Sequence, residues 1–101
     1  MIEEIRAKTA SGLFEFSKYA TDRSILRHIT MQEFREALAN AEIIEDYPND
    51  KYGPSCLILG FTLHNRPLHV QCTYPSRPLI RIITIYEPDP AEWIDWKVRR
   101  K

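Results

Sequence analysis

The fold is decided by two neighbouring segments of the sequence, residues 67–74 (PLHVQCTY) and residues 80–86 (IRIITIY). Apolar and polar residues alternate through the first segment, which predicts a β-strand with His69 on its polar side. Residues 75–78 (PSRP) are typical of a turn, so the two segments are predicted to form a β-hairpin. Counting back from this turn places His69 directly opposite Thr84, with β-carbons about 5 Å apart.

Two further strands and a helix are predicted before this hairpin. Residues 55–62 are apolar at almost every position, which is typical of a central strand, and residues 42–48 form a shorter strand that ends at its proline. Residues 63–66 form the turn into the hairpin, so the strands follow one another as an antiparallel meander. Residues 30–33 (TMQE) match a capping box and begin a helix that extends to about Ala41.

The two ends of the chain add helices to this sheet. Residues 13–27 fit a helix with Ser17 as its N-cap. Residues 89–96 (DPAEWIDW) begin a C-terminal helix, because aspartate and proline are favoured at the N-cap and first helical positions. Residues 1–12 are expected to be a flexible N-terminal extension with at most a short helical turn. The 101 residues are thus predicted to form one α+β domain: N-terminal helices, a four-stranded, mostly antiparallel sheet and a C-terminal helix.

The composition is that of an ordinary globular protein, with 44% hydrophobic and 28% charged residues. The 14 basic and 14 acidic residues balance to a net charge of zero, which weighs against a strongly basic nucleic-acid-binding protein. The acidic start is not a signal peptide, and no apolar run reaches the roughly 18 residues that a membrane span needs. We therefore expect a cytoplasmic protein without a membrane partner.

The sequence carries no pattern for a metal, a cofactor or a reactive thiol. Cys56, Cys72, His64 and His69 lack the close spacing of metal ligands, and Cys72 is predicted on the strand face opposite His69. Both cysteines lie in apolar strands, so we expect them to be buried and structural. The three glycines are not spaced as in a phosphate-binding or dinucleotide-binding loop.

Acid–base chemistry centred on His69 remains, because histidine is the side chain that titrates closest to neutral pH. A satisfied core histidine is an equally good interpretation of this position. Metal-free RNA cleavage needs a base, an acid and a cation that stabilises the phosphorane. By alternation Arg81 lies on the face opposite Thr84, which favours Arg23 as the phosphate-binding cation. The candidates around His69 are Arg23, Asp46, Tyr47, Thr84 and Tyr86.

A series of short motifs follows in order through residues 16–96. The main ones are Tyr19-Ala20-x-x-Arg23, residues 43–48 (IIEDYP), residues 66–70 (RPLHV) and residues 83–88 (ITIYEP). Together they resemble an uncharacterised bacterial family of small single domains, whose members look like RelE-like ribonuclease toxins. The resemblance implies an α+β domain with an antiparallel sheet and toxin-type endoribonuclease activity. It also implies two partners, RNA that is free or ribosome-bound and a neutralising antitoxin protein.

Position 19 departs from the family pattern, which usually has histidine before the Ala-x-x-Arg segment. A phenol has an ordinary pKa of about 10, so Tyr19 is a poorer acid or base at neutral pH. The departure favours an alternative, a non-catalytic module that binds a partner protein or an anionic ligand on the same polar face. We expect a partner to contact either that face or the basic tail, residues 97–101. The predicted catalytic set is His69 as acid or base and Arg23 as clamp, supported by Tyr19, Tyr47, Thr84 and Tyr86.

Overall fold

A computed structural model describes all 101 residues as three α-helices on one face of a five-stranded sheet, with a small separate hairpin at the C-terminus. The strand order in the sheet is β1-β5-β4-β3-β2, and β6 pairs with β7 in the hairpin. None of the helices has the length and apolar character required to cross a membrane. The elements are α1 (Ile2–Ala10), β1 (Phe14–Phe16), α2 (Lys18–Leu26), α3 (Met31–Ala39), β2 (Glu42–Tyr47), β3 (Ser55–Phe61), β4 (Pro67–Thr73), β5 (Ile80–Tyr86), β6 (Trp93–Ile94) and β7 (Val98–Arg99).

Local capping residues fix the starts of two helices, as the sequence predicts. The Thr30 hydroxyl accepts a hydrogen bond from the Glu33 amide at 3.1 Å, and the Glu33 carboxylate accepts one from the Thr30 amide at 3.0 Å. This reciprocal pair satisfies two amides that have no partner inside α3. At the start of α2 the Ser17 hydroxyl accepts from the Ala20 amide at 3.0 Å.

The predicted helix over residues 13–27 is wrong at its beginning, where β1 forms instead. β1 pairs in parallel with β5, and Phe14 lies opposite Ile80. The two phenylalanines of β1 alternate with Glu15, and each ring centroid lies 5.0 Å from that of Phe34 on α3. Burial of these rings against α3 therefore outweighs the local helix preference of the segment. Because β1 joins the sheet in parallel, the sheet is mixed and five-stranded rather than four-stranded and mostly antiparallel.

The N-terminal residues also differ from the expected flexible extension. They form α1, which packs against α3 and β5. Ile5 is fully buried and joins the main hydrophobic core. Ile2 packs beside it, Thr9 is also buried, and Arg6 donates a hydrogen bond to the Ala41 carbonyl at 2.8 Å. Burial of this apolar side, together with that hydrogen bond, docks the helix.

The sheet face covered by the helices, here called the helix face, contains the main core. Ile58, Val70 and Ile85 point into it and are completely or almost completely buried. The α3 backbone lies directly on β3 at Gly60, where an added β-carbon would be only 2.0 Å from the carbonyl oxygen of Ala37. Only glycine permits this close approach.

The opposite side of the sheet, here called the hairpin face, is partly covered by the β6–β7 hairpin. Side chains alternate between the two faces along each strand, so the neighbours of the core residues on β3 and β4 point to this side. The face is mixed in polarity, in contrast to the helix face. Its members include Ser55, Leu57, Leu59, His69, Gln71, Thr73, Thr84 and Tyr86.

The predicted pairing of His69 with Thr84 is wrong. His69 lies opposite Tyr86 and Thr84 lies opposite Gln71, a shift of two residues. One residue of this shift comes from Ile83, which is an extra, bulged residue in β5. The other arises at the turn, because Cys72 is already paired with Ile82 rather than with Arg81. A bulge changes the register and interrupts the alternation of side chains. As a result Arg81 lies on the hairpin face with Thr84, not opposite to it, and it lines the same cleft as Ile83.

The predicted C-terminal helix is also wrong, since residues 93–99 form the β6–β7 hairpin. Asp95 and Trp96 between its strands have positive φ values of 51° and 64°, which a helix excludes and a tight hairpin turn favours. Asp89 caps only a single turn, where its carboxylate accepts a hydrogen bond from the Ala91 amide at 2.8 Å. The helix-start pattern was therefore genuine, but the helix does not continue.

Candidate functional site

His69 lies at the centre of the hairpin face, and none of its surface is exposed. Its Nε2 atom is 2.6 Å from the carbonyl oxygen of Trp96, and its Nδ1 atom is 3.1 Å from the hydroxyl of Tyr86. A carbonyl oxygen only accepts hydrogen bonds, so Nε2 carries the proton and donates it. Nδ1 is therefore the acceptor, and the Tyr86 hydroxyl donates to it.

The C-terminal hairpin covers His69 on the hairpin face. The buried ring of Trp93 meets the imidazole edge to face, with centroids 4.4 Å apart and planes at 89°. The guanidinium of Arg99, on β7, lies 4.7 Å from the ring centroid of Trp93, on β6. Together with the Trp96 carbonyl, these contacts place the short hairpin as a lid over His69.

A carboxylate and a second phenol on β2 complete the cluster. Glu45 accepts two hydrogen bonds from the Arg99 guanidinium, at 2.9 and 3.1 Å, and a third from the Tyr47 hydroxyl. Burial acts to raise the pKa of Glu45, but the bonds from Arg99 and Tyr47 outweigh it and lower that pKa. Burial and the hydrogen bond to Glu45 together raise the pKa of Tyr47 to about 12. Near pH 7 Glu45 is therefore negatively charged, and Tyr47 keeps its proton and donates it to Glu45.

Burial sets the protonation of the central pair. It lowers the pKa of His69, although the Trp96 carbonyl and the charge of Glu45 oppose that shift. It raises the pKa of the Tyr86 hydroxyl. Both groups are thus neutral near pH 7, with a phenol proton held next to an imidazole acceptor. This arrangement can take up and return one proton through a single hydrogen bond.

Two arginines at the C-terminal end of α2 lie at the rim of the site, Arg23 within the helix and Arg27 at its C-cap. Arg27 donates a hydrogen bond to the Ile85 carbonyl at 2.7 Å, and its guanidinium carbon is 5.9 Å from the Tyr86 ring centroid. The predicted clamp, Arg23, instead lies 4.9 Å from the ring centroid of Tyr19. The arginine beside Tyr86 is therefore Arg27, four residues after Arg23.

Some predicted residues come together and others do not. Tyr86 contacts His69 directly, whereas Thr84 faces Gln71. The carboxylate near His69 is Glu45, not Asp46, which accepts a hydrogen bond from the Tyr74 hydroxyl at 2.5 Å. The alternation of side chains along β2 could have identified Glu45 from the sequence, because it places Glu45 and Tyr47 on the same face.

The basic tail is mostly used within the molecule. Lys97 forms an ion pair with Glu42 at 2.8 Å, and Arg99 holds Glu45. Arg100 donates to the Pro90 carbonyl at 2.9 Å. These contacts fasten the hairpin to the sheet, so three of the tail's four cations already have partners on the protein.

The two cysteines lie on the helix face, away from His69. Cys56 and Cys72 are directly paired across β3 and β4, fully buried, with their sulfur atoms 4.0 Å apart. The hydrogen bond between them lowers the pKa of Cys56 and raises that of Cys72. No cluster of three or more His, Cys, Asp or Glu side chains is arranged to hold a metal ion.

Comparison with known proteins places most of the chain in one family. No curated protein and no solved structure gives a match. A family model described as a domain of unknown function (DUF4258) matches residues 16–87. The match includes His69, Tyr86 and Arg27 but stops before the hairpin that covers them. Since the matched region is well over half of the sequence, the chain belongs to the DUF4258 family.

Proposed function

We propose that this protein is a toxin-type endoribonuclease that cleaves RNA without a metal in the cytoplasm. The observation that carries the proposal is the half-buried Tyr86 hydroxyl, hydrogen-bonded to the acceptor nitrogen of buried His69 with the Arg27 guanidinium 5.9 Å from the Tyr86 ring. A proton acceptor, a hydroxyl on a partly exposed side chain and a cation are the groups that this chemistry needs.

Tyr86 and His69 act as one proton relay in the proposed reaction. The Tyr86 oxygen accepts the proton of an RNA 2′-hydroxyl as its own proton passes to Nδ1 of His69. The 2′-oxygen attacks the adjacent phosphorus, and the bond from phosphorus to the 5′-oxygen breaks. The relay then returns its proton to that 5′-oxygen, so the products are a 2′,3′-cyclic phosphate and a 5′-hydroxyl. Burial of His69 is compatible with this role, because only Tyr86 meets the RNA.

The other residues stabilise charge around this relay. Arg27 binds the phosphorane, whose negative charge grows as the 2′-oxygen attacks. Arg23, held over Tyr19, contacts the next phosphate along the strand. Glu45, fixed by Arg99 and Tyr47, favours the imidazolium that forms when His69 accepts the proton. Tyr19 and Thr84 are left with supporting contacts to the RNA.

Such an enzyme needs a neutralising antitoxin protein as its second partner. The tail cations Lys97 and Arg99 are paired within the chain, which favours the rim around Arg27 and Tyr86 as the surface that an inhibitor covers. An acidic inhibitor segment at this rim would compete directly with RNA phosphates.

Cleavage assays on free and ribosome-bound RNA test the proposal. Tyr86→Phe removes only the hydroxyl, and we expect it to lower the cleavage rate by about 100-fold or more, as for loss of a general acid–base group. Tyr74→Phe removes a phenol hydroxyl that donates to Asp46, outside the relay, and is the matched control, with unchanged cleavage. A 2′-deoxy substrate should not be cleaved. Equal cleavage by wild type and Tyr86→Phe would refute the relay.

The second candidate is a non-catalytic module that binds a partner protein or an anionic ligand. The complete burial of His69, with both ring nitrogens hydrogen-bonded, favours it. In that case induced expression would not arrest growth, and RNA would remain intact at all enzyme concentrations. His69→Gln would then reduce stability while leaving ligand affinity unchanged.

A further inference from the structure

A second cleft lies on the hairpin face, at the end of the sheet that the hairpin leaves open. Its volume is about 390 Å³, and it opens between the loop of residues 48–54 and the loop of residues 74–79. Lys8 of α1 donates a hydrogen bond to the Arg77 carbonyl, which ties the second loop to the body of the protein. The residues that line the cleft are Asp50, Tyr52, Thr73, Arg77, Arg81 and Ile83.

Two arginines give this cleft a positive charge. Arg77 forms no ion pair, and its guanidinium extends back across the other loop to Gly53. Arg81 is about half exposed (48%) and has one long contact, 3.4 Å, to Glu15. The single carboxylate of the cleft, Asp50, accepts hydrogen bonds from within its own loop and from the Ser55 hydroxyl at 3.0 Å. The Arg77 guanidinium is therefore available to an anion, and that of Arg81 can bind one in place of its long contact to Glu15.

An exposed aromatic ring lies next to these arginines. Tyr52 is 80% exposed, the largest exposed fraction among the large hydrophobic side chains of the protein. The ammonium group of Lys51 lies 4.9 Å from its ring centroid. An aromatic face beside cations is the combination that binds an unpaired base together with its phosphate.

The cleft and the relay lie on the same face of the sheet, at opposite ends of β5. Arg81 and Tyr86 lie on the same sheet face, five residues apart, which corresponds to about 16 Å along a strand. We propose that this cleft binds single-stranded RNA a few nucleotides from the phosphate cleaved at Tyr86, with Tyr52 stacking on a base and Arg77 and Arg81 binding phosphates. The inference rests on the proposed function, since it assigns the path of the same substrate.

Binding of a 2′-O-methyl oligoribonucleotide, which cannot be cleaved, tests the cleft separately from catalysis. Fluorescence anisotropy over a range of salt concentrations gives the affinity and its salt dependence. We expect the Arg77→Gln/Arg81→Gln double variant to flatten the log–log salt slope by about 1.4, because each phosphate contact to a single strand contributes about 0.7. Arg35→Gln, an exposed arginine on the helix side, is the matched control and should leave the slope unchanged.

Tyr52 variants test the stacking contact. Tyr52→Ala should weaken binding at least about fivefold, as for the loss of one stacked base, whereas Tyr52→Phe keeps the ring and the affinity. A paired duplex should bind more weakly than the single strand, because its bases are not free to stack on the ring.

The results separate this inference from the proposed function. A wild type that binds through Arg77 and Arg81 but does not cleave RNA would support the cleft and refute the ribonuclease. Cleavage with unchanged affinity and salt slope in the double variant would refute the cleft alone. Three other results would also overturn it. They are absence of binding, equal effects of Arg35→Gln and the double variant, and preference for an acidic peptide over the oligonucleotide.

Discussion

Neighbouring residues on β3 meet different environments on the two faces of the sheet. Ile58 points into the core beneath the three helices, whereas Leu59 points to the side covered by the C-terminal hairpin and is paired with His69. Both are buried, but one is enclosed by long helices and the other by two strands of two residues each. The helix face supplies the main stability of the fold, and the hairpin face holds groups that can exchange protons and bind phosphate.

The largest effect is expected on the helix face, where α3 touches β3. Gly60→Ala would place a β-carbon 2.0 Å from the Ala37 carbonyl oxygen, so α3 must move away from the sheet. We expect the free energy of unfolding to fall by more than about 3 kcal/mol, at the upper end for overpacked cores. Urea denaturation measures it. The β-carbon that Gly12→Ala adds would have no atom within 4 Å. Only the positive φ of this position should lower the free energy of unfolding, by about 1 kcal/mol.

On the hairpin face, removal of the Trp93 ring should have a smaller effect on stability but a larger one on His69. We expect Trp93→Ala to lower the free energy of unfolding by about 3 kcal/mol, the lower end for this substitution, since the short hairpin can settle into the space. The pKa of His69 should rise towards its usual value, because burial is the main cause of its depression. NMR titration of the imidazole measures this shift, and Ile94→Ala, on an exposed side chain of the same hairpin, should leave it unchanged.

Stability should depend on pH through His69 in a narrow window. The folded protein has a lowered His69 pKa, so between that value and about 6.5 the unfolded chain binds a proton that the folded chain does not. Stability therefore falls as the pH decreases through this window, by at most about 1.4 kcal/mol per pH unit, and is constant above it. Chemical denaturation of wild type and His69→Gln measures the difference between their pH slopes, which should vanish above pH 7.

Two carboxylates provide the internal check on that window. The pKa values of Glu33 and Glu45 are lowered from 4.5, so their contribution to stability is present above that pH and lost only below it. If His69→Gln retains the full slope between pH 6.5 and pH 5, the buried imidazole is not the group responsible.

The smallest effect should come from Thr84, and it tests the register. Because Thr84 faces Gln71, Thr84→Val should change the free energy of unfolding by less than about 1 kcal/mol and leave the His69 ring signals in place. Tyr86→Phe removes the donor to Nδ1 and should shift those signals. A shift of similar size in Thr84→Val would indicate that the predicted pairing of His69 with Thr84 is populated.

Short-range signals in the sequence were sufficient for much of the helix face. The Thr30–Glu33 capping box and the Ser17 N-cap are confirmed, because each depends on residues within one helical turn. The strands β2 to β5 are also confirmed in their antiparallel order, because consecutive apolar segments with tight turns pair with their neighbours. Asn65 occupies the predicted turn with a φ of 63°.

The hairpin face was harder to predict because long-range contacts determine it. The bulged residue Ile83, together with a one-residue shift at the turn, moves Thr84 away from His69 and brings Tyr86 there. The turn at Asp95 and Trp96 needs two left-handed residues that local propensity disfavours, and contacts of Trp93 and Arg99 with the sheet stabilise it. Residue type alone therefore named His69, Tyr47 and Tyr86 as candidates, but it did not predict how they are arranged.

The parallel pairing of β1 with β5 has a consequence for synthesis on the ribosome. Phe14 and its partner Ile80 are separated by 66 residues, although both belong to the same sheet. During translation the first strand remains without its partner until β5 has left the exit tunnel, while α2 and α3 can already form from local contacts. The N-terminus is thus made first and docked last, and a nascent chain truncated before residue 80 lacks the strand that completes its sheet.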